Sequence, residues 1–298
     1  EISSFKLYNE EIRINNKVLS YDKVIYVDAE KGNDITGNGT TNNPYKTLEK
    51  ALNDINEDNQ EAIYLRKGTY YVEHYGKLII GKRNTDYIGE QNTIIKANKR
   101  TVLNYNMINN FYRIIFKLSD SFPNADSVIW LANSSKVHTF HATFNNCVFD
   151  GNNRLSHSSR HRGFFRTESD SSVYYNIDKF EFNNCIIINS SDYALMNDYN
   201  GNRGNKIKII NCATTSRSLN NPNNDSEIGR DTKVITSLVG VKFDSDYNIL
   251  SSNWINRGTG LNPDGTQAHI GVFGGPFAWG WQDDSHLVKD DNDVLTFD

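Results

Sequence analysis

The sequence is sparing with the residues that punctuate or cross-link a fold. Proline occurs five times and cysteine three times in 298 residues. Three cysteines cannot all pair internally, and none lies in a C-x-x-C. No run of 18 apolar residues exists, so nothing is expected to span a membrane. Lysine and arginine total 32 against 36 aspartates and glutamates, a net charge of −4. That balance lacks the basic field of a duplex-binding protein and argues against nucleic acid as a partner. The opening Glu1-Ile2-Ser3-Ser4 lacks a basic-then-apolar leader. The chain reads as a trimmed or mature fragment, which leaves export undecided.

What is present is aromatic and polar together. Mean hydropathy is −0.62, yet there are 16 Tyr and 15 Phe. A disordered chain would lack those aromatics. A narrow core under a large polar surface accommodates both. Asparagine is abundant and tolerates the left-handed backbone of tight turns.

Short strands and frequent turns run along the chain. Residues 1–22 read as leader strands or the end of a preceding module, with Phe5–Tyr8 and Ile12–Ile14 alternating. Val24–Asp28 is a strand. Thr47 is placed to cap a short helix whose apolar face is Leu48, Ala51, Leu52 and Ile55. Ala62–Leu65, Leu78–Gly81, Asp86–Gly89 and Thr93–Ile95 follow as strands.

A repeat marks the middle. Phe144-Asn145-Asn146-Cys147-Val148-Phe149 matches Phe182-Asn183-Asn184-Cys185-Ile186-Ile187, and Ile209-Ile210-Asn211-Cys212-Ala213-Thr214 is a third copy. One short strand cannot bury its apolar face alone. Coils stacked roughly 4.8 Å apart supply parallel neighbours. In such a stack the turn Asn would be left-handed and bond along the stack. The following Cys would point inward as a small hydrophobe, with zinc ligation the alternative.

These segments resemble the pectate-lyase-like right-handed parallel β-helix superfamily, in its bacterial secreted or phage-type members. Ile25–Asp28 with Gly32-Asn33-Asp34 and Asn43–Leu48 resembles the entry and capping helix. Ile63–Tyr70 resembles the first coil. Pro263-Asp264-Gly265-Thr266 with Ile270–Pro276 resembles the terminal motif, except that His269 stands where an acidic residue is usual. The resemblance implies an all-β fold: a single-stranded, right-handed, three-sheet solenoid over 23–280 with a short N-terminal capping helix. Residues 281–298 would be a tail or cap, and the aromatic run Phe277–Trp281 would close the solenoid's open end. By analogy, Val128–Leu131, Phe164–Thr167 and Tyr193–Met196 are first strands, the sheet on which enzymes of this superfamily usually act. The superfamily's Gly-His-Gly, Arg-Ile-Lys and Trp-x-Asp-His signatures are absent.

The expected site lies in the longer gap between repeat copies, from Asp150 to Asp170. Arg160, Arg162, Arg166, His157 and Asp170 are the expected substrate-binding residues, since guanidinium forks match carboxylates. His161 is an expected general base near neutral pH. Glu168 and Asp198, on adjacent coils, are an expected catalytic pair of the glycosidase type. A solvated loop held by ion pairs is the plainer alternative. Calcium is a candidate cofactor at Asn262, Asp264 and Thr266 or at Asp28 and Asp34, although neither group has full EF-hand spacing. The expected partner is a polysaccharide or surface glycan, at the cell surface, outside the cell, or on a virion tail. The function read is a carbohydrate-active protein that binds an acidic polysaccharide as a monomer, with cleavage by lyase or hydrolase chemistry left open. The alternative is a non-enzymatic adhesin or trimeric tail-spike module.

Overall fold

The computed structural model describes residues 10–72, 79–80, 84–97, 101–103, 107–120, 129–131, 137–152, 165–167, 174–189, 196–197, 207–216, 219, 232–281 and 286–287. The protein is mostly β, with many parallel strands and little helix.

The strands in chain order are β1 (Glu10–Ile14), β2 (Lys17–Tyr21), β3 (Lys23–Val27), β4 (Glu61–Leu65), β5 (Gly68–Val72), β6 (Ile79–Ile80), β7 (Thr85–Ala97), β8 (Thr101–Leu103), β9 (Met107–Leu118), β10 (Ile129–Leu131), β11 (Val137–Asn145), β12 (Val148–Asp150), β13 (Phe165–Thr167), β14 (Tyr174–Asn183), β15 (Ile186–Ile188), β16 (Met196–Asn197), β17 (Ile207–Ile210), β18 (Ala213–Thr214), β19 (Thr232–Ile235) and β20 (His286–Leu287). The single described α-helix, α1, spans Leu48–Asp54.

Parallel pairing sorts these strands into three stacks. The first stack runs β6-β8-β10-β13-β16. The second runs β3-β4, the start of β7, the start of β9, then β11-β14-β17-β19. The third runs β5, the end of β7, the end of β9, then β12-β15-β18. The chain visits second, third and first stacks in turn. The sequence reading separates Asp86–Gly89 from Thr93–Ile95. In the structure both belong to β7, which turns a corner with a register shift between Ile88 and Thr93.

Alternation sends one side of each strand inward. Tyr87, Phe111, Phe144 and Phe182 occupy one inward column of the second stack, with centroids 4.9, 4.8 and 5.1 Å apart and planes within 13° of parallel. Phe116 and Phe149 form a like pair in the third stack at 5.3 Å. The two columns meet edge-on, as Phe144 and Phe149 do at 75°. Both geometries suit the ring quadrupole. In-register stacking, not helix-like nesting, is why so aromatic a core fits a chain of low mean hydropathy.

Helix α1 follows the expected pattern. The Thr47 hydroxyl accepts from Lys50 N, and Leu48, Ala51 and Leu52 are buried against the main core. Asp34 holds the entry to the helix by accepting from Lys46 N, Thr47 N and the Thr47 hydroxyl. At the other flank, β1 and β2 form an antiparallel hairpin, which β20 extends. Its Ile12, Ile14 and Tyr21 cover the outward residues Val24, Tyr26, Tyr64, Ile88 and Tyr112.

The Asn-Cys repeat shows where local and long-range bonding part. Asn146, Asn184 and Asn211 all have left-handed backbones, with φ of 51–53°. Cys147, Cys185 and Cys212 are fully buried free thiols in the main core, and burial pushes the Cys185 thiol up from its ordinary range. Their backbone neighbours bond along the stack: Asn146 N to Asn183 O, Asn184 N to Ile210 O, and Asn211 N to Ile235 O. The turn side chains do not, contrary to the sequence expectation. Asn146 Nδ2 donates to Val272 O and Gly274 O, Asn184 Nδ2 to His269 O, and Asn211 Nδ2 to Thr259 O. The amide that does bond along the stack is one residue earlier, Asn183 Nδ2 to Asn145 Oδ1.

The partners of the turn amides lie on one C-terminal strap, residues 255–281, which passes back over the corner coil by coil. Farther along this path Gly280 N donates to Gln91 Oε1. Arg113 occupies the turn position one coil before Asn146, with φ 57° and 2% exposure. Its guanidinium donates to Phe277 O, Ala278 O and Asn15 Oδ1. Close approach requires glycine at 275, where φ is +75° and an added Cβ would lie 2.6 Å from Asn184 Oδ1. Trp279 is buried against the outer face of the third stack with Ile115, Val148 and Ile186, and its indole N–H donates to Asn146 O. The aromatic run around Trp279 therefore seals a flank and does not cap the end expected from the sequence. The tail can lie flat there because the third stack presents an apolar outward column.

His269 lies on this strap. Its Nδ1 accepts from Asn256 N at 3.0 Å, and its ring meets Trp254 edge-on. Burial holds the imidazole below its usual range. A base whose folded pKa is depressed contributes stability present above about pH 6.5, the unfolded value, and lost as pH falls toward the folded one. The urea midpoint is expected to fall between pH 7.5 and 5. In His269→Asn, where the side chain does not titrate, that fall should shrink; an unchanged fall would remove His269 as its source.

Candidate functional site

The first stack contains the most distinctive row of residue types. Parallel register aligns Val102, Trp130, Arg166 and Asn197 on one rung, across β8, β10, β13 and β16. The rung before it holds Thr101, Ile129, Phe165 and Met196; the rung after it holds Leu103, Leu131 and Thr167. Trp130, Arg166 and Asn197 thus occupy matching backbone positions on neighbouring parallel strands, about 4.8 Å apart.

The expected first strands Val128–Leu131, Phe164–Thr167 and Tyr193–Met196 contribute β10, β13 and the start of β16 to this one sheet. Of the sequence-predicted site residues, Arg166 is placed here by its backbone. His157, Arg160, His161, Arg162, Glu168, Asp170 and Asp198 lie outside the described residues. Trp130 and Asn197 were not among the sequence candidates. Trp130 carries a sequence signal, because Trp130 and Arg166 are both third residues of matching four-residue first strands; Asn197 carries none, since it lies beyond the expected strand Tyr193–Met196.

Asp150, the first acidic residue of the expected loop, has a different role. It ends β12, is 2% exposed, and pairs with Lys117 at 2.9 Å. It also accepts from Asn152 N and Asn189 Nδ2, with the Tyr247 hydroxyl 3.5 Å away. Burial, then Asp150, raises the Tyr247 phenol above its ordinary range. This is a satisfied ion pair under the segment before the strap, not a free loop carboxylate. Strand parity turns Asp150 outward, beside Lys117 of the preceding coil.

The proposed calcium carboxylates are likewise engaged. Asp28 accepts from Glu30 N and Lys31 N and pairs with Arg66 at 3.3 Å. Despite burial, those bonds hold its carboxyl below the usual range. Asp264 accepts from Thr266 N and Oγ1 within a turn completed by Gly265 at φ +84°. Those two bonds lower its carboxyl. Asn262 spends its amide on Thr266 and Gln267 and its Oδ1 on His269 N and Gly275 N. Among the described residues no group of three His, Cys, Asp or Glu side chains converges for a metal, and no helix is long and apolar enough to cross a membrane.

No protein-family model and no curated protein matches the chain. Among solved structures, it is similar to a rhamnogalacturonan lyase. That likeness has 14% identity and a TM-score of 0.36, over 75% of this chain. The match spans 64% of the lyase chain's own length.

Proposed function

We propose that the three stacks close into a right-handed parallel β-helix, and that the protein is an extracellular carbohydrate-active protein whose first stack binds an acidic polysaccharide. The observation that supports this reading is the Trp130–Arg166–Asn197 rung. An indole offers a flat apolar face for a sugar ring. A guanidinium offers a planar fork for a uronate carboxylate, and an amide offers both donor and acceptor to hydroxyls. Repetition along the stack axis suits a linear polymer better than a compact ligand.

Cleavage, by lyase or hydrolase chemistry, would draw on His161, Glu168 and Asp198. Arg160, Arg162, His157 and Asp170 would extend the anion-binding region beyond Arg166. Binding and turnover separate in one experiment. Uronate polymers are titrated against the protein with and without calcium, and products are assayed for new reducing ends and for ultraviolet-absorbing unsaturated termini. Wild type is expected to bind. Arg166→Ala and Trp130→Ala should each weaken binding about tenfold to a hundredfold, the scale of a charged hydrogen bond or an aromatic anchor. Failure to bind any uronate polymer would sink the reading. Binding without product would assign a non-enzymatic module, and light scattering would then divide a trimeric tail spike from an adhesin.

A further inference from the structure

The outward face of the second stack changes character along the axis. In the first coils it is apolar and covered by the β1–β2 hairpin, through Val24, Tyr26, Tyr64, Ile88 and Tyr112. From β11 onward it carries polar residues, with Ile210 and Ile235 the apolar positions at its far end. One outward row aligns Thr143, Glu181 and Lys208. Flanking rows align His141 with Lys179 and Asn145 with Asn183.

Two features of this strip point to a ligand. Thr143 and Asn145 are 8% and 7% exposed. Among the described residues, however, the Thr143 hydroxyl makes no hydrogen bond, and the Asn145 amide makes only the one in which its Oδ1 accepts from Asn183. Lys208, half-buried, has no carboxylate partner among the described residues, whereas Lys179 pairs with Glu181 at 3.4 Å. Unspent hydroxyl and amide capacity beside an unpaired cation fits a hydroxyl-rich anion. It does so in a chain whose overall charge is negative.

We propose that Thr143, Asn145, Lys179, Asn183 and Lys208 form a second binding strip for the acidic polysaccharide, on a different sheet from the Trp130–Arg166–Asn197 rung. This inference rests on the uronate-binding reading given above. Strips on two sheets of one molecule would let a long polymer engage both, raising avidity without new contacts at either.

Calorimetric titration of the full chain with a short oligogalacturonate is the test, with Lys179→Gln/Lys208→Glu and Arg166→Ala as variants. Both lysines are partly exposed, so the folds should persist, and circular dichroism checks that. Wild type should bind two equivalents. The lysine variant should bind one and lose about tenfold or more in affinity for long polygalacturonate. Arg166→Ala should also bind one. A single equivalent that survives the lysine changes and vanishes in Arg166→Ala overturns the second strip alone. A single equivalent lost with the lysines and kept in Arg166→Ala overturns the first-stack reading and supports the strip. No binding by wild type overturns both. Equal affinity for a single-stranded polynucleotide would make the strip a general polyanion patch and overturn the glycan assignment.

Discussion

Replacing Arg113 by alanine is expected to lower stability by about 3 kcal/mol and to free the C-terminal strap. Arg113 is 2% exposed and joins three parts of the chain: the turn between two stacks, the strap carbonyls of Phe277 and Ala278, and Asn15 of the hairpin. Truncation leaves those buried acceptors without this donor, at about 1–3 kcal/mol each before relaxation. Asn15 also donates to Pro276 O and Ala278 O, so part of the attachment survives.

The backbone at 113 adds a sharper test. Its φ of 57° is close to the 51–53° of Asn146, Asn184 and Asn211, which hold the same turn position after later strands. Asparagine visits this region more readily than other side chains with a Cβ. Arg113→Asn should therefore keep the turn, restore one donor toward the strap, and recover roughly half of the loss estimated for alanine. Urea denaturation measures the energy. Limited proteolysis within 255–281 reports release of the strap, and Trp279 emission should shift as its indole N–H leaves Asn146 O. Equal stability of Arg113→Ala and wild type would mean that the strap is held by the asparagines alone.

Phe144→Ala is expected to cost about 3–5 kcal/mol, the range for a buried aromatic truncated in a core that cannot collapse around it. Phe144 is fully buried and stacks between Phe111 and Phe182, at 4.8 and 5.1 Å. It also meets Phe149 and Phe180 edge-on. Strand spacing is fixed by backbone hydrogen bonds, so neighbouring rings cannot slide across the sheet to fill the gap. Phe144→Leu should cost less, since it retains most of the buried area while losing the ring contacts. Because stacked repeats interact mainly with neighbours, hydrogen exchange should quicken most in β9, β11 and β14. A uniform rise across the chain would instead indicate one cooperative unit.

Much of this architecture was legible in local patterns. Period-two alternation with an Asn-Cys step identified the second and third stacks, because strand parity and a left-handed turn are properties of a few consecutive residues. Thr47 and the Leu48–Ala51–Leu52 face marked the helix for the same reason. The first stack was reached by analogy, and its Trp130–Arg166–Asn197 rung needed a register that no single strand contains. That Asp150 ends β12 in an ion pair is hidden in the sequence, because its partner Lys117 lies 33 residues earlier and becomes adjacent only when strands pair.

The Asn-Cys repeat draws the dividing line. By itself the sequence determined that asparagine would adopt the left-handed turn and that cysteine would follow into the core, since both depend on steric freedom and side-chain size. Only the tertiary structure decided where the turn amides bond. A left-handed residue at a corner points its amide out of the stack, and the carbonyls that accept from it belong to a strap 48 to 128 residues away.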